Sequence, residues 1–104
     1  GGHDADAQGH REAADGALAL RMSWDDTLAE GGLAPSLDRE ALRQTLAQDL
    51  ERWGRCALGE VDLGNRSGAI FNLDCQGGER AMKVHLAPDR RILRLRFFPR
   101  RQRG

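Results

Sequence analysis

Three segments of alternating apolar and polar residues occupy residues 69–97, AIFNLDCQGGERAMKVHLAPDRRILRLRF. Glycine, proline and aspartate mark the turns between them. A period of two is typical of strands that bury one face. The segments are therefore predicted to form an antiparallel meander. Its predicted inward residues are Ala69, Phe71, Leu73, Cys75, Met82, Val84, Leu86, Leu93, Leu95 and Phe97.

The stretch before the meander has helical periodicity. One apolar face is formed by Leu37, Leu42, Leu46, Leu50 and Trp53. Ser36 is the predicted N-cap of this helix, and Gly54 is predicted to end it in a left-handed conformation. A further, irregular strand is predicted from Cys56 onward, and Gly59 within it indicates a bulge.

The N-terminal part is predicted to add two helices. One begins near His10 and turns a stripe of Ala14, Ala17, Leu18 and Met22 toward the core. The alternation of Leu18, Leu20, Met22 and Trp24 would instead suit a strand, but the alanine-rich composition favours the helix. Ser23 is the predicted cap of a short second helix that ends at Gly31-Gly32.

These elements predict an α+β fold, with N-terminal helices packed on a curved four-stranded antiparallel meander. We expect a disordered segment at residues 1–9, one domain at 10–99 and a basic tail at 100–104. The 104 residues are enough for one domain. No apolar run approaches the ~20 residues of a membrane span or forms a signal-peptide core. Since the chain begins with Gly, we expect a processed product or an excised domain.

The net charge of zero is a cancellation of two unequal halves. Residues 1–79 hold 7 basic and 15 acidic side chains, whereas residues 80–104 hold 9 basic side chains and Asp89 alone. Such asymmetry can indicate a surface for nucleic acid or for an acidic partner. The alternative is internal neutralisation, with acidic helices near a basic strand. We favour this alternative, because no aromatic platform accompanies the arginines.

Cys56 and Cys75 are the only cysteines. If the first hairpin turns about Asn65-Arg66, the two residues face each other across neighbouring strands, within reach of a disulfide. A bridge would indicate an oxidising compartment. The alternative is two reduced, buried cysteines in a cytosolic domain. We favour the disulfide, although a bulge at Gly59 would shift this register by one residue.

No catalytic set, cofactor site or metal centre is predicted. The serines lack an activating elbow, and His85 is expected to be a solvated strand residue without a carboxylate to orient it. The glycine pairs fit hairpin turns rather than phosphate-binding loops. Gly1-Gly2-His3 could hold Cu(II) or Ni(II) in a square plane, but we expect this motif to be adventitious.

Two candidate binding regions remain. The first is a basic band on the outward side of the last two strands, formed by Lys83, His85, Arg94 and Arg96. Like charges that face each other across strands cost free energy unless an anion offsets them. Three anions could offset these charges: the nearby Asp74, a carboxylate of a partner protein, or a polyanion. The second region is a pocket between the helices and the sheet, lined by Trp24, Trp53 and Phe71.

Several stretches resemble small domains of the cystatin-like, or nuclear-transport-factor-2-like, fold. They include Ala17 to Trp24-Asp25-Asp26, Phe71-x-Leu73-x-Cys75, Val84-x-Leu86-x-Pro88-Asp89 and Arg91-Ile92-x-x-Leu95-x-Phe97. The last two stretches, an apolar strand with a Pro-Asp turn followed by Ile-x-x-Leu-x-Phe, are similar to sequences of accessory domains attached to secreted bacterial serine hydrolases. The resemblance implies helices packed in the concave side of the sheet, and often a dimer. Enzymes of this fold, such as ketosteroid isomerase, use inward Tyr and Asp residues that this chain lacks.

The expected function is a non-catalytic accessory or binding domain, secreted or periplasmic, that meets a partner protein or a second copy through the sheet face. One alternative is a small-ligand carrier or enzyme that uses the tryptophan pocket. The alternative compartment, if the cysteines are reduced, is the cytoplasm. A third is nucleic-acid binding through the basic strand and tail, which we rank last. Binding of that kind would weaken steeply with salt.

Overall fold

The structure is a computed structural model that describes residues 2–64 and 68–100. Within these residues three helices precede four strands, which confirms the predicted α+β order. The predicted turn at residues 65–67, the tail at 101–104 and Gly1 of the metal-binding motif lie outside the described residues. The helices are α1 (Gly2–Met22), α2 (Asp26–Gly32) and α3 (Arg39–Trp53), and the strands are β1 (Cys56–Gly64), β2 (Gly68–Cys75), β3 (Gly78–Leu86) and β4 (Ile92–Pro99).

The four strands pair in chain order as an open antiparallel meander, β1-β2-β3-β4. The helices pack on one face of this sheet, which we call the inner face. Phe71 and Leu73 of β2 and Met82 and Val84 of β3 are buried there against helical residues such as Leu46. The inward assignment of β2 and β3 is thereby confirmed, because strand alternation places every second residue on the same face.

Helix α1 begins at Gly2 rather than near His10, and the division of the chain at residue 10 stays a prediction. Ala14, Ala17 and Leu20 form its buried stripe, since residues three apart share a helix face. Met22 was assigned to this stripe wrongly and is 43% exposed. The helical interpretation of this segment was right, and the strand alternative was not.

Aspartates, rather than the predicted serines, cap the two shorter helices. Asp25 accepts a hydrogen bond from the Leu28 amide at 3.0 Å, and Asp38 accepts one from the Ala41 amide at 3.0 Å. A cap must directly precede the first helical residue so that its side chain reaches the amide three residues on. Ser23 and Ser36 each lie two residues too early, so both cap assignments were wrong.

The end of α3 is tied to the turn between β2 and β3. Gly54 ends the helix with the predicted positive φ, 75°, although its ψ of −160° lies outside the αL region of a left-handed cap. The Gly77 amide donates to the Trp53 carbonyl at 2.8 Å, and the Gln76 amide donates to the Arg55 carbonyl at 2.9 Å. A Cβ on Gly77 would lie only 3.2 Å from the Trp53 carbonyl oxygen, so a glycine permits this close approach.

Strand β1 is irregular in the way that Gly59 indicated. Its register with β2 shifts twice, once between Leu58 and Val61 and once between Val61 and Leu63. Both Nη atoms of Arg11 on α1 donate to the Gly59 carbonyl at 3.1 Å. The bulge therefore frees a carbonyl from the ladder and turns it toward the first helix.

Cys56 and Cys75 pair across β1 and β2 and form a disulfide. Near the hairpin turn, however, Gly64 pairs with Ala69, which is not the register expected from a turn about residues 65 and 66. The two register shifts of β1 restore the expected pairing before Cys56 is reached. A bulge at Gly59 is expected to move Cys56 out of register with Cys75. In the structure the bulged strand instead brings the two cysteines together.

Strand β4 begins with a shift that corrects one predicted inward residue. Leu93 is 43% exposed, whereas the neighbouring Ile92 is buried and pairs with Leu86. The register shifts between His85 and Leu86, so Leu93 is skipped in the pairing and the alternation restarts one residue later. Leu95 and Phe97 do pack against the core, as predicted.

A buried ion cluster joins the helices to the sheet. Asp49 of α3 lies between Arg21 of α1 and Arg80 of β3, and its carboxylate accepts hydrogen bonds from both guanidiniums. The Arg21 Nε–Asp49 Oδ2 distance is 2.8 Å, and Arg21 also donates to the Gly54 carbonyl at 2.7 Å. Three elements are thereby held at one point.

Aromatic rings complete the environment of this cluster. The Arg80 guanidinium lies 4.6 Å from the centroid of the Trp53 ring and 5.7 Å from that of Phe97, and Arg21 lies 5.8 Å from Phe97. Cations at these distances are attracted by the ring quadrupole. The rings help to offset a cluster of two cations and one anion, whose net charge is positive.

Replacing Asp49 should therefore destabilise the fold strongly. Asp49→Ala leaves two buried guanidiniums without an anion, and we expect a loss of about 3–5 kcal/mol in the free energy of unfolding. Arg80→Met should cost less, because Arg21 and Asp49 stay paired. Urea unfolding followed by tryptophan fluorescence measures both. Glu51→Ala, at an exposed position of the same helix, is the control, and an Asp49→Ala loss no larger than its loss would contradict the role of the cluster.

Candidate functional site

The predicted basic band lies on the side of the sheet opposite the inner face, which we call the outer face. The register pairs Lys83 with Arg96 and His85 with Arg94, so four basic side chains occupy two adjacent cross-strand pairs. Both arginines are exposed, and Lys83 and His85 are half-buried. The antiparallel pairing of β3 with β4 thus brings together all four residues that the sequence singled out.

Among the described residues, no carboxylate is paired with this band. None of the four side chains forms a salt bridge within the described residues, where the ion pairs are those of Asp49 and Asp89. Asp74 was considered as a neighbour, but it lies four residues along β2 from Ile70, the residue that pairs with Lys83. Four residues of strand span about 13 Å. The band therefore keeps its like-charge repulsion.

The other end of the outer face is acidic. Asp74 pairs directly with Glu79 across β2 and β3, so like charges face each other here too. Arg100 lines the same shallow cleft, but no salt bridge joins it to either carboxylate among the described residues. Asn72, Ala81 and Phe98 lie between the two ends, in register, and Ile70 lies beside Lys83 in the basic row. The outer face is therefore bipolar, with a small, mostly apolar centre.

Burial, together with the positive charges of the band, lowers the pKa of His85. The pKa lies below the ordinary value of 6.5, first because of partial burial and then because of repulsion by Lys83, Arg94 and Arg96. His10 on α1 adds a smaller effect of the same sign. A neutral imidazole is thus favoured among three cations.

The three aromatic residues of the predicted pocket face different surroundings. The Trp24 ring lies 5.9 Å from the guanidinium of Arg43, and the Trp53 ring lies against Arg80 in the ion cluster. Phe71 is buried in the core of the sheet. Both tryptophans pack, partly buried, against the core that contains Phe71, and neither lines the cavity described next. A pocket between the three residues stays a prediction.

A cavity that the sequence did not suggest lies between α1, α2 and the turn from β3 to β4. Its volume is about 260 Å³. Leu20, Leu33 and Ile92 line it, and Glu12 and Arg90 supply the charged groups. The isolated parallel bridge between Leu33 and Ile92 holds the end of α2 against β4. Gly9 and Gly16 both line the cavity and lie two helical turns apart on α1. This spacing could have indicated a helix face without side chains to fill the space beside it.

No protein-family model, curated protein or solved structure matches this chain. None of the helices in the described residues has an apolar stretch of the length that a bilayer crossing requires. Within the same residues, no three or more His, Cys, Asp or Glu side chains gather into a group suited to a metal ion. The outer face and the cavity are therefore the two candidate binding sites within the described residues.

The lowered pKa of His85 predicts a pH-dependent stability difference between the protein and His85→Gln. Below about pH 6.5 the unfolded chain binds a proton at His85 before the folded chain does. The protein should therefore lose stability relative to the variant as the pH falls from 7.5 through 6.5, down to the lowered pKa.

Urea unfolding of both proteins across this pH range, at low protein concentration, measures the difference. His3 and His10 are common to both chains and cancel. Arg94→Gln should reduce the pH dependence, because it removes one of the repelling cations. A difference that is constant with pH, or that grows in favour of the protein as the pH falls, would contradict the assigned field.

Proposed function

We propose that this chain is a non-catalytic accessory or binding domain that docks through its outer face, and that a second copy of the chain is its partner. One observation supports this most: like charges are paired at both ends of one sheet face, positive at one end and negative at the other. Each end is destabilising in a lone chain. A partner with the opposite polarity would relieve both.

A second copy has the required polarity. A two-fold axis through the centre of the outer face turns one chain by 180° relative to the other. If this axis lies between the two facing sheets, perpendicular to the strands, the basic end of one copy lies over the acidic end of the other, where Arg100 accompanies Asp74 and Glu79. Cyclic dimers of this kind are the commonest oligomers, because one self-complementary patch serves both subunits.

The size of the face predicts a weak dimer. Four strands of about eight residues cover roughly 19 Å by 26 Å, or about 500 Å². Stable complexes bury about 800 Å² on each partner. Charge complementarity between exposed groups is also screened by salt. We therefore expect association that is reversible and weakens as the ionic strength rises.

Nucleic acid is a poorer fit to the same face. Asp74 and Glu79 lie about 13 Å from the cations and would repel a phosphate backbone that runs along the strands. The face offers one aromatic ring, Phe98, whereas single-stranded nucleic acids are held on several stacking rings. The mixed polarity and the apolar centre favour a protein partner.

The proposal extends to fold family and compartment. The order of helices followed by an antiparallel meander is compatible with the cystatin-like fold, and the resemblance noted above implies that such domains are often dimeric. The Cys56–Cys75 disulfide supports an oxidising compartment, secreted or periplasmic, because such bonds persist there and are rare in the cytosol.

A charge-swap experiment tests the dimer. Lys83→Glu/Arg96→Glu makes the face acidic at both ends, and Asp74→Lys/Glu79→Lys makes it basic at both ends. Each double variant should sediment as a monomer at concentrations where the protein dimerises, because like charges now meet across the axis. An equimolar mixture of the two variants should dimerise again. Arg55→Glu, off the sheet, is the control for charge and should dimerise normally.

Sedimentation velocity at low and high salt distinguishes the outcomes. Loss of dimer in each variant with recovery in the mixture supports docking through the outer face. A protein that stays monomeric at high concentration and low salt would contradict the choice of a second copy. Dimerisation that is unaffected by the swaps would show that another surface mediates it.

A further inference from the structure

We infer that the cavity between α1, α2 and the β3–β4 turn binds a free aliphatic α-amino acid. Arg90 would hold the carboxylate of the ligand and Glu12 its ammonium group. Leu28 would cover its side chain above a packed floor of Leu20, Leu33 and Ile92. This site is separate from the outer face, and the inference does not depend on the dimer.

The apolar floor of the site is closely packed, so the apolar surface that a ligand can reach lies mainly at the rim. Leu33 is fully buried, and Leu20 and Ile92 are 3% and 2% exposed. Leu28 lines the same cavity and is 39% exposed. A rim leucine next to a buried apolar floor is suited to cover an aliphatic side chain. The volume of 260 Å³ corresponds to about nine water molecules in the liquid, and leucine and valine have a similar number of non-hydrogen atoms.

Three glycines keep this space open although packing does not require them. A Cβ on Gly16, Gly31 or Gly32 would meet no atom within 4 Å beyond the local helix backbone. Glycine is less favourable than alanine inside a helix. Alanine would therefore fit and stabilise α1 and α2, but its methyl group would project into the cavity at the positions that line it. The glycines thus favour an open cavity at the expense of helix stability.

Arg90 occupies a backbone conformation that arginine rarely adopts. Its φ is 71°, and its amide donates to the Ala87 carbonyl at 2.8 Å to close the turn. Glycine, asparagine or aspartate would adopt this conformation at lower cost. Within the described residues the guanidinium forms neither a salt bridge nor a hydrogen bond. The hydrogen bond of the Arg90 amide accounts for the turn. No contact of the guanidinium within the described residues explains why the residue at this position is an arginine.

The position of the guanidinium does suggest a role. A Cβ on Gly9 would lie 3.4 Å from Arg90 Nη1, so the side chain lies against α1 at the rim of the cavity. A guanidinium is the preferred protein group for a carboxylate, which it can bind with two parallel hydrogen bonds.

Glu12 decides between a zwitterion and a simple anion. It lines the same cavity as Arg90, and no salt bridge joins the two among the described residues. A fatty-acid carboxylate would satisfy Arg90 but would leave Glu12 facing a second anion. An α-amino acid satisfies both groups at once, because its ammonium and carboxylate are bonded to the same carbon.

The probe is L-leucine added to the protein labelled at leucine and isoleucine methyl groups, followed by NMR. The methyl signals of Leu28, Leu33 and Ile92 should shift in a saturable way at concentrations up to about 20 mM, since so small a ligand gains limited free energy. Analogues that lack one group each test the recognition: 4-methylpentanoate lacks the ammonium, 3-methylbutylamine the carboxylate and glycine the aliphatic side chain. Each should bind at least tenfold more weakly than leucine.

Variants test the residues. Arg90→Gln should weaken leucine binding at least tenfold, and Gly16→Leu should abolish it by filling the cavity. Arg43→Gln, which removes an exposed arginine from α3, should leave binding unchanged. Absence of any saturable methyl shift with leucine would overturn the inference. Equal binding of 4-methylpentanoate, or unaltered binding by Arg90→Gln, would overturn the assigned ligand class.

Discussion

The antiparallel register of β2, β3 and β4 is the constraint on which the rest of the structure depends. It places Phe71, Met82 and Phe97 in one inward row, and it places Ile70, Lys83 and Arg96 in the neighbouring outward row. A slip of one residue would exchange the two faces, because side chains alternate strictly along a strand. The hydrophobic pattern therefore determines which residues form the core. The same register pairs Lys83 with Arg96 and His85 with Arg94 on the outer face.

The chain treats charge differently on its two faces. On the inner face Asp49 lies between Arg21 and Arg80, so every buried carboxylate–guanidinium contact is attractive, and the cluster joins both long helices to β3. On the outer face the pairs are of like sign, and no described side chain offsets them. The inner cluster carries a net positive charge and leaves Arg80 Nε without a hydrogen-bond partner among the described residues, but its carboxylate lies between its two cations.

Much of this architecture could be predicted from residue periodicity, because alternation along β2 and β3 directly reports burial. The same rule could have revealed Arg80, which is in phase with Met82 and Val84, yet a charge is not expected at an inward position. The start of β4 could not be predicted, since a register shift leaves Leu93 outside. Nor could the cavity with Arg90, because it depends on where the short helix α2 meets the β3–β4 turn, which no local pattern encodes.

The register itself can be measured directly by cross-strand nuclear Overhauser effects in solution. The register predicts backbone contacts between Lys83 and Arg96 and between Asp74 and Glu79, together with slow amide exchange along β2 and β3. Contacts of Lys83 with Leu95 or Phe97 in place of Arg96 would show that β4 is slipped against β3. The outer face would then lack its basic pairs, and both the buried core and the bipolar surface described above would be contradicted.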